Sequence, residues 1–443
     1  MKTLSLFSVA PVHFWGKNDL KFLKSELNES FNIMKTLLSL PPELLEALCH
    51  YLDPIDLSRL GQSCKMMRDI TSTEAIWRDL ILHKYQLNPE QYSPWTSRTF
   101  YQNMLHPYGA FLGVWQMSFG DYGGLLRVFV EEGSIVGEET YSHPLKDGRY
   151  QPLSQKKVFR VHMEEKNAGS SGKEVNNTKI EVHFVCLIGA DESPSFGCES
   201  AEPMVLFHDR NQDLLQIRCT AFDLHDQRMG RLSENYMHND WKRSHDRWIE
   251  TWFMCSCSRI KMDPFIPQVP PFTLSLPQPG VFVGDYGPHG TELVQVRYKQ
   301  VERSGPNTKQ NLVEAHKITG DPNIPKQKVT FRAFLDQPVY PSDEQQRSMQ
   351  ELSAIESVPP SSTLVEPPQR FNLPDHINCD FDKNLIPSFS YGRFKAEIQL
   401  AGHNYYRPAF SSSQLVIFNQ HLLGLFIFEF DELMIFERVN VAC

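Results

Sequence analysis

From Tyr108 onward the chain is written in short runs rich in Val, Ile and Phe, each cut off by Gly, Pro, Asp or Asn. That texture leaves few folds open. A helix needs a longer uninterrupted stretch with a 3.6-residue apolar period, whereas short runs with period-two alternation are what strands require. Ile180, Val182, Phe184 and Cys186 alternate with Glu181 and His183, as a strand with one wet face does. Expected strands are Leu125–Val130, Ser134–Glu138, Val158–Met163, Ile180–Cys186, Met204–His208, Leu214–Cys219, Glu292–Tyr298, Val329–Phe334, Phe394–Leu400, Gln414–Phe418, Leu423–Phe430 and Leu433–Val439. So many short strands point to an all-β sandwich or barrel over 108–443. One inserted helix is expected in Ser233–Trp252, where Trp241, Trp248, Ile249 and Trp252 fall on one face that would pack across the sheet. The stretches 165–179 and 341–370, rich in Gly, Ser, Asn, Pro, Gln and Glu, read as flexible loops inserted in that one domain, since strand signals continue on both sides.

Residues 37–82, LLSLPPELLEALCHYLDPIDLSRLGQSCKMMRDITSTEAIWRDLIL, have a helical texture. Pro41 and Pro42 sit where a helix can begin, because proline lacks the N–H that a first turn leaves unpaired. Leu44, Leu45, Leu48 and Leu52 form one stripe. Asp53-Pro54 restarts the chain with Asp53 as an expected N-cap, Leu57, Leu60 and Cys64 give a second helix its face, and Ile76, Trp77, Leu80 and Ile81 a third. An ordinary bundle burying its own stripes is one account. So short a segment cannot bury that many leucines well, so a partner or an adjoining domain is expected to cover some of them. The spacing of Leu40-Pro41, the leucine ladder, Asp56-Leu57-x-x-Leu60, Cys64 and Ile76-Trp77 resembles an F-box. That resemblance implies docking on an SKP-type adaptor through Leu40, Pro41, Leu44, Leu45, Leu48, Leu57, Leu60 and Trp77. Residues 1–36 are expected to be a poorly ordered extension and 83–107 a helical connector. The fold class is therefore α+β: a small all-α domain, then a large antiparallel β-barrel-like domain.

A chain of 443 residues exceeds what one core usually serves. Its formal charge is −9 and no Lys/Arg run reaches five, so no footprint for a nucleic acid or an anionic membrane is present. No stretch approaches the length of a transmembrane helix. Met1-Lys2 and the apolar residues after it imitate a signal peptide, but Pro11 and His13 interrupt them. The chain is expected to be intracellular and cytoplasmic, with the nucleus and centrosome open. Nine cysteines, an odd number, fit reduced thiols and a metal site better than a disulfide framework.

The search for catalytic motifs is negative: Gly-x-Ser-x-Gly, a Gly-Lys-Ser/Thr phosphate loop and His-Glu-x-x-His are all missing. The best metal candidates are Cys198, His208, Cys219 and His225, whose thiolates and imidazoles suit tetrahedral zinc, although their spacing is loose. A weak echo links Gly113-Val114-Trp115 and Gly120-Asp121-Tyr122-Gly123 to Gly280-Val281-Phe282 and Gly284-Asp285-Tyr286-Gly287. In each an aromatic that could plug a barrel end precedes a glycine turn and a new strand.

Tyr122-Gly123-Gly124-Leu125-Leu126, Phe159-Arg160-Val161-His162, Tyr286-Gly287-Pro288-His289-Gly290, Thr319-Gly320-Asp321-Pro322-Asn323-Ile324-Pro325 and Ala401-Gly402-His403 resemble the motifs of a family of F-box substrate receptors of SCF-type cullin-RING ubiquitin ligases. The resemblance implies a β-barrel substrate domain, a cullin-containing assembly, a structural zinc, and a pocket for the C-terminal tails of substrates such as D-type cyclins. It supports Cys219 and His225 as one zinc pair by spacing; the other pair is Cys198 and His208, chosen over Cys186. On residue chemistry, Tyr122, Tyr286, His289, Asp321, Asn323 and His403 sit in Gly/Pro-rich turns that can hold a peptide tail. Asp321 and Asn323 can equally cap their own turn. A barrel for a small apolar ligand is the alternative reading, and an enzyme a third.

Overall fold

The computed structural model describes residues 39–117, 123–141, 154–167, 178–186, 204–209, 213–219, 254–261, 265–269, 275–302, 309–321, 323–358, 368–374 and 376–440, with 211 and 272. The chain divides into two compact units, 1–102 and 103–443.

In the first unit, helices α1 (Pro42–Cys49), α2 (Pro54–Ser63), α3 (Lys65–Thr71) and α4 (Glu74–Tyr85) follow one another closely. Pro42 and Pro54 open their helices, as their missing N–H allows. Asp53 holds the N-cap position of α2, yet its side chain makes no capping hydrogen bond. Cys64 instead caps α3, its Sγ accepting the Met67 N–H at 3.5 Å. Cys49, Leu57 and Ile76 form the core, with Leu52, Leu60, Ile70 and Leu80 packed around it. Trp77 is buried and donates Nε1–H to the Thr71 carbonyl at 2.8 Å, fixing α4 against α3. Short helices Pro89–Tyr92 and Ser97–Phe100 continue the unit.

The second unit is antiparallel β. Strands β1 (Gly113–Met117), β2 (Gly124–Glu131), β3 (Ser134–Tyr141), β4 (Ser154–Asn167), β5 (Thr178–Cys186), β6 (Met204–Asp209), β7 (Leu214–Cys219) and β8 (Met254–Arg259) make one eight-stranded sheet in the order β5-β4-β3-β2-β1-β8-β7-β6. Strands β9 (Gly280–Asp285), β10 (Thr291–Glu302), β11 (Lys309–Lys317) and β12 (Val329–Pro338) follow, then the two-residue strands β13 (Gln369–Arg370) and β14 (Phe389–Ser390), which pair with each other. With β15 (Gly392–Gly402), β16 (Tyr406–Asn419), β17 (Leu422–Ile427) and β18 (Glu432–Arg438), strands β9 to β12 close a barrel in the order β10-β11-β12-β15-β16-β17-β18-β9. Eight strands leave an interior just wide enough for side chains to fill, and Phe282, Phe331, Phe394 and Phe436 meet there with Met434 and with Val, Leu and Ile from β10, β11, β12, β15, β16 and β17. Sheet and barrel share a small apolar seam of Val114, Leu125, Ile260, Val281, Leu293 and Ile318.

This is the helical region followed by a large antiparallel β domain that the sequence implies, with its strands divided between a sheet and a barrel. Trp115 does not plug a barrel end; it is buried on β1 of the sheet, under the Arg259 guanidinium at 4.0 Å. Two expected loops are partly built. Residues 165–167 and 178–179 extend the β4–β5 pairing. The segment expected to be flexible from 341 carries a helix, Met349–Ala354, whose Met349 and Leu352 pack with Phe371, Val416, Phe418 and Phe426 on the outer barrel wall. Apolar residues on both faces of β16 and β17 need such a cover. The helix expected in 233–252 lies outside the described residues. Among the described residues no helix is long and apolar enough to cross a membrane.

Candidate functional site

On α1 the leucine ladder divides into two faces. Leu45 and Cys49 point inward, whereas Leu44 is 53% and Leu48 47% exposed. Pro41 is exposed and Leu40 half-buried beside the start of that helix. Tyr51 and Ile55, in and after the α1–α2 turn, are exposed as well, so an apolar surface faces outward from a module that already has its own core. Leu45, Leu57 and Trp77, expected as docking residues, are buried in that core, and Leu60 packs on its margin. A periodic stripe does not say which of its members meet a partner. Tyr51 and Ile55 lie off the stripe and were not foreseen.

The barrel supplies the second arrangement. Antiparallel order places the β9–β10, β11–β12, β15–β16 and β17–β18 turns at one end. There Lys317, the last residue of β11, is wholly buried with its Nζ against Glu292 Oε2 and Asp321 Oδ2. The ammonium also lies over the Tyr286 ring at 4.2 Å, and Tyr286 Oη donates to Thr330 Oγ1 at 3.1 Å. Asp321 Oδ1 accepts the Asn323 and Ile324 N–H groups at 2.6 and 2.7 Å. Both of its oxygens are therefore engaged, one in its own turn and one in the ion pair. Burial pushes the Asp321 carboxyl up, but Lys317 and the Ile324 N–H outweigh that and hold it below the ordinary carboxylate value. Glu292 goes the other way: burial drives it to about 8 against the opposing pull of Lys317, so it is a neutral acid at pH 7. Glu292 Oε1 has no hydrogen-bond partner among the described residues. Burial lowers His289, an effect Asp321 opposes and Lys317 reinforces.

Of the residues expected here, Tyr286, His289, Asp321 and Asn323 come together. His403 shares the barrel end but is exposed in the β15–β16 turn, and no described contact ties it to the cluster. Tyr122 lies outside the described residues; the next residue, Gly123, with φ +65°, backs onto the Ile318 carbonyl. Glu292 and Lys317 were missed. The available signal was parity: each continues the inward-facing register of its strand, Val294 and Val296 on β10 and Val313 and Ala315 on β11, where a charge is out of place.

A zinc ion held jointly by the four expected ligands does not fit. The β6–β7 hairpin pairs Met204 with Cys219 and His208 with Leu215. His208 and Cys219 are therefore four residues apart along it, about 13 Å at a strand's rise, while a tetrahedral ion draws its ligand atoms to within about 4 Å of one another. His208 Nε2 is hydrogen-bonded with Asp213 Oδ1 at 3.1 Å instead. Cys198, His225 and the Cys219 side chain lie outside the described residues, among which no His, Cys, Asp or Glu group converges as a metal site.

Residues 37–83 match the family model described as F-box-like, and residues 261–442, which contain the barrel, match the one described as Cyclin D1 binding domain. The chain thus has an F-box-like helical region followed by a large antiparallel β domain. It is a homologue of F-box only protein 31: it is 30% identical to the Homo sapiens protein over 343 residues, 72% of this chain and 56% of that one. It is 28% identical to F-box only protein 31-B of Xenopus laevis over 338 residues, 72% of this chain and 58% of that one. The match thus spans a little over half the length of these relatives. A shorter stretch of 64 residues is 45% identical to Protein EXECUTER 2, chloroplastic, of Arabidopsis thaliana, covering 13% of this chain and 10% of that protein.

Proposed function

We propose that this chain is the substrate-recognition subunit of an SCF-type cullin-RING ubiquitin ligase, and does no catalysis of its own. The helical module docks on the SKP-type adaptor and through it the cullin; the β domain takes the C-terminal tails of target proteins, D-type cyclins among them, for ubiquitination and proteasomal degradation. The observation that carries this reading is the exposure of Leu44 and Leu48 on a helix whose inward face is already packed. Covering each leucine contributes roughly 1.5–3 kcal/mol, enough for a pair to decide association. Leu44→Asp with Leu48→Asp is expected to abolish co-purification with the adaptor while leaving the β domain folded; retained co-purification would overturn the docking role.

At the barrel end, the buried Lys317 and Asp321 neutralise each other and Glu292 is uncharged at pH 7, so the cluster presents no net charge to a tail. Binding of peptides that differ only at their C-terminal group tests this: affinity is expected to change with that group, and indifference would remove the tail-binding role. The alternative, a small apolar ligand inside the barrel, is less well supported, because phenylalanines and aliphatic side chains fill the interior.

A further inference from the structure

The outer wall of the barrel holds a second buried cation. On β15, Phe394, Ala396 and Ile398 point into the barrel, so Arg393 lies on the opposite face, paired in register with Val416 under the cover that includes Phe371. Arg393 is 0% exposed, and none of Nε, Nη1 and Nη2 has a hydrogen-bond partner among the described residues. Its guanidinium lies over the Phe371 ring at 5.0 Å and the Phe426 ring at 5.9 Å. Aromatic faces recover only part of what a guanidinium loses on leaving water. Other enclosed cations are treated differently: Lys317 has the Asp321 carboxylate and a Glu292 carboxyl oxygen, and Arg259 has Asp213 and the Leu112 and Ala110 carbonyls. Burial lowers Arg393 to about 9, which leaves it charged at neutral pH.

Its neighbourhood is also unsatisfied. Ser390 Oγ, Gln369 Nε2 and Gln414 Oε1 are buried without partners among the described residues. Ser390 precedes Arg393 by three residues and pairs with Gln369 across the β13–β14 ladder. Gln369 is two residues from Phe371, over which the guanidinium lies. Gln414 shares the outer face of β16 with Val416 and stands opposite Phe426. Guanidinium, hydroxyl and amide N–H are donors, and the single amide oxygen of Gln414 can accept from only one or two of them. The chemistry in deficit is negative charge with several acceptor directions. Complete enclosure excludes a partner's chain, so the matching group comes from solution and is small.

We propose that Arg393, with Ser390 and Gln369, forms a binding site for a small inorganic anion of chloride size between the barrel wall and its cover. Crystals of the full chain grown in bromide should give an anomalous peak within hydrogen-bonding reach of the guanidinium, missing in Arg393→Met. In solution, replacing gluconate by chloride at equal ionic strength should raise the thermal midpoint of the wild type by several degrees and leave Arg393→Met unchanged. In gluconate, Arg393→Met should melt no lower than the wild type, because the variant buries no charge. Ser390→Ala, which removes one donor and no charge, should show a smaller chloride response. Equal wild-type midpoints in the two salts, or a peak or response that survives in Arg393→Met, would overturn the site. A peak without a solution response would mean binding at crystal concentration only, and would overturn it too.

Discussion

Lys317 is tolerable inside the barrel because the Asp321 carboxylate, a carboxyl oxygen of Glu292 and an aromatic face replace its water; without Asp321 a buried charge is left uncompensated. Glu292 bears the consequence in its titration. In the unfolded chain it loses its proton near 4.5, in the fold only at about 8. Between those values the unfolded state has released a proton that the native state still holds, so stability falls as pH rises across that window and levels off above it. Asp285, raised to about 6 by burial and then Asp380, and Glu432, raised by burial and then Asp380 and Asp285, act in the same direction. Glu292→Gln is therefore expected to flatten part of the decline between about pH 5 and pH 8, as read from denaturant midpoints; an unchanged slope would mean that Glu292 titrates normally. At this scale the sequence was half legible. Asp321 and Asn323 announced themselves as turn residues, and Asp321 proves to cap its turn and hold Lys317 together. Arg393 gave no signal, because a charge on the outward parity of a strand is what solvent exposure predicts; only the cover makes it unusual.

Elements were legible where period-two alternation was strong. β2, β5, β7 and β12 lie close to where their apolar runs place them. β8, MCSCSR, and β11, KQNLVEAHK, were not anticipated, because small or polar residues fill them and neighbouring strands supply their order. β1 and β9 were seen only as aromatics leading into turns. The helix Met349–Ala354 was hidden in a stretch of Pro, Ser, Gln and Glu, yet the need for it was written elsewhere: LVIFN in β16 and LLGLFI in β17 are apolar on both faces. Leu352→Ala should accordingly cost about 2 kcal/mol or somewhat more, since it opens a void against Val416 and Phe418. Denaturant midpoints check this; no loss would mean that the helix is not seated on the wall.

For the whole molecule, the order of helical module and β region could be read directly, and the partition of strands into a sheet and a closed barrel could not. Local texture is the same in both, and what separates them is which distant strand each one pairs with. The barrel is sealed by β18 against β9, with Phe436 beside Gly284 and Arg438 beside Phe282. That seam bears on the chain's synthesis. The ribosome releases β9 long before β18, and until β18 emerges both β9 and β17 keep an open edge that another chain could join. Ring closure is the last step of making this barrel, and the nascent protein depends on its final hairpin, Leu422 to Arg438, to become inert toward its neighbours.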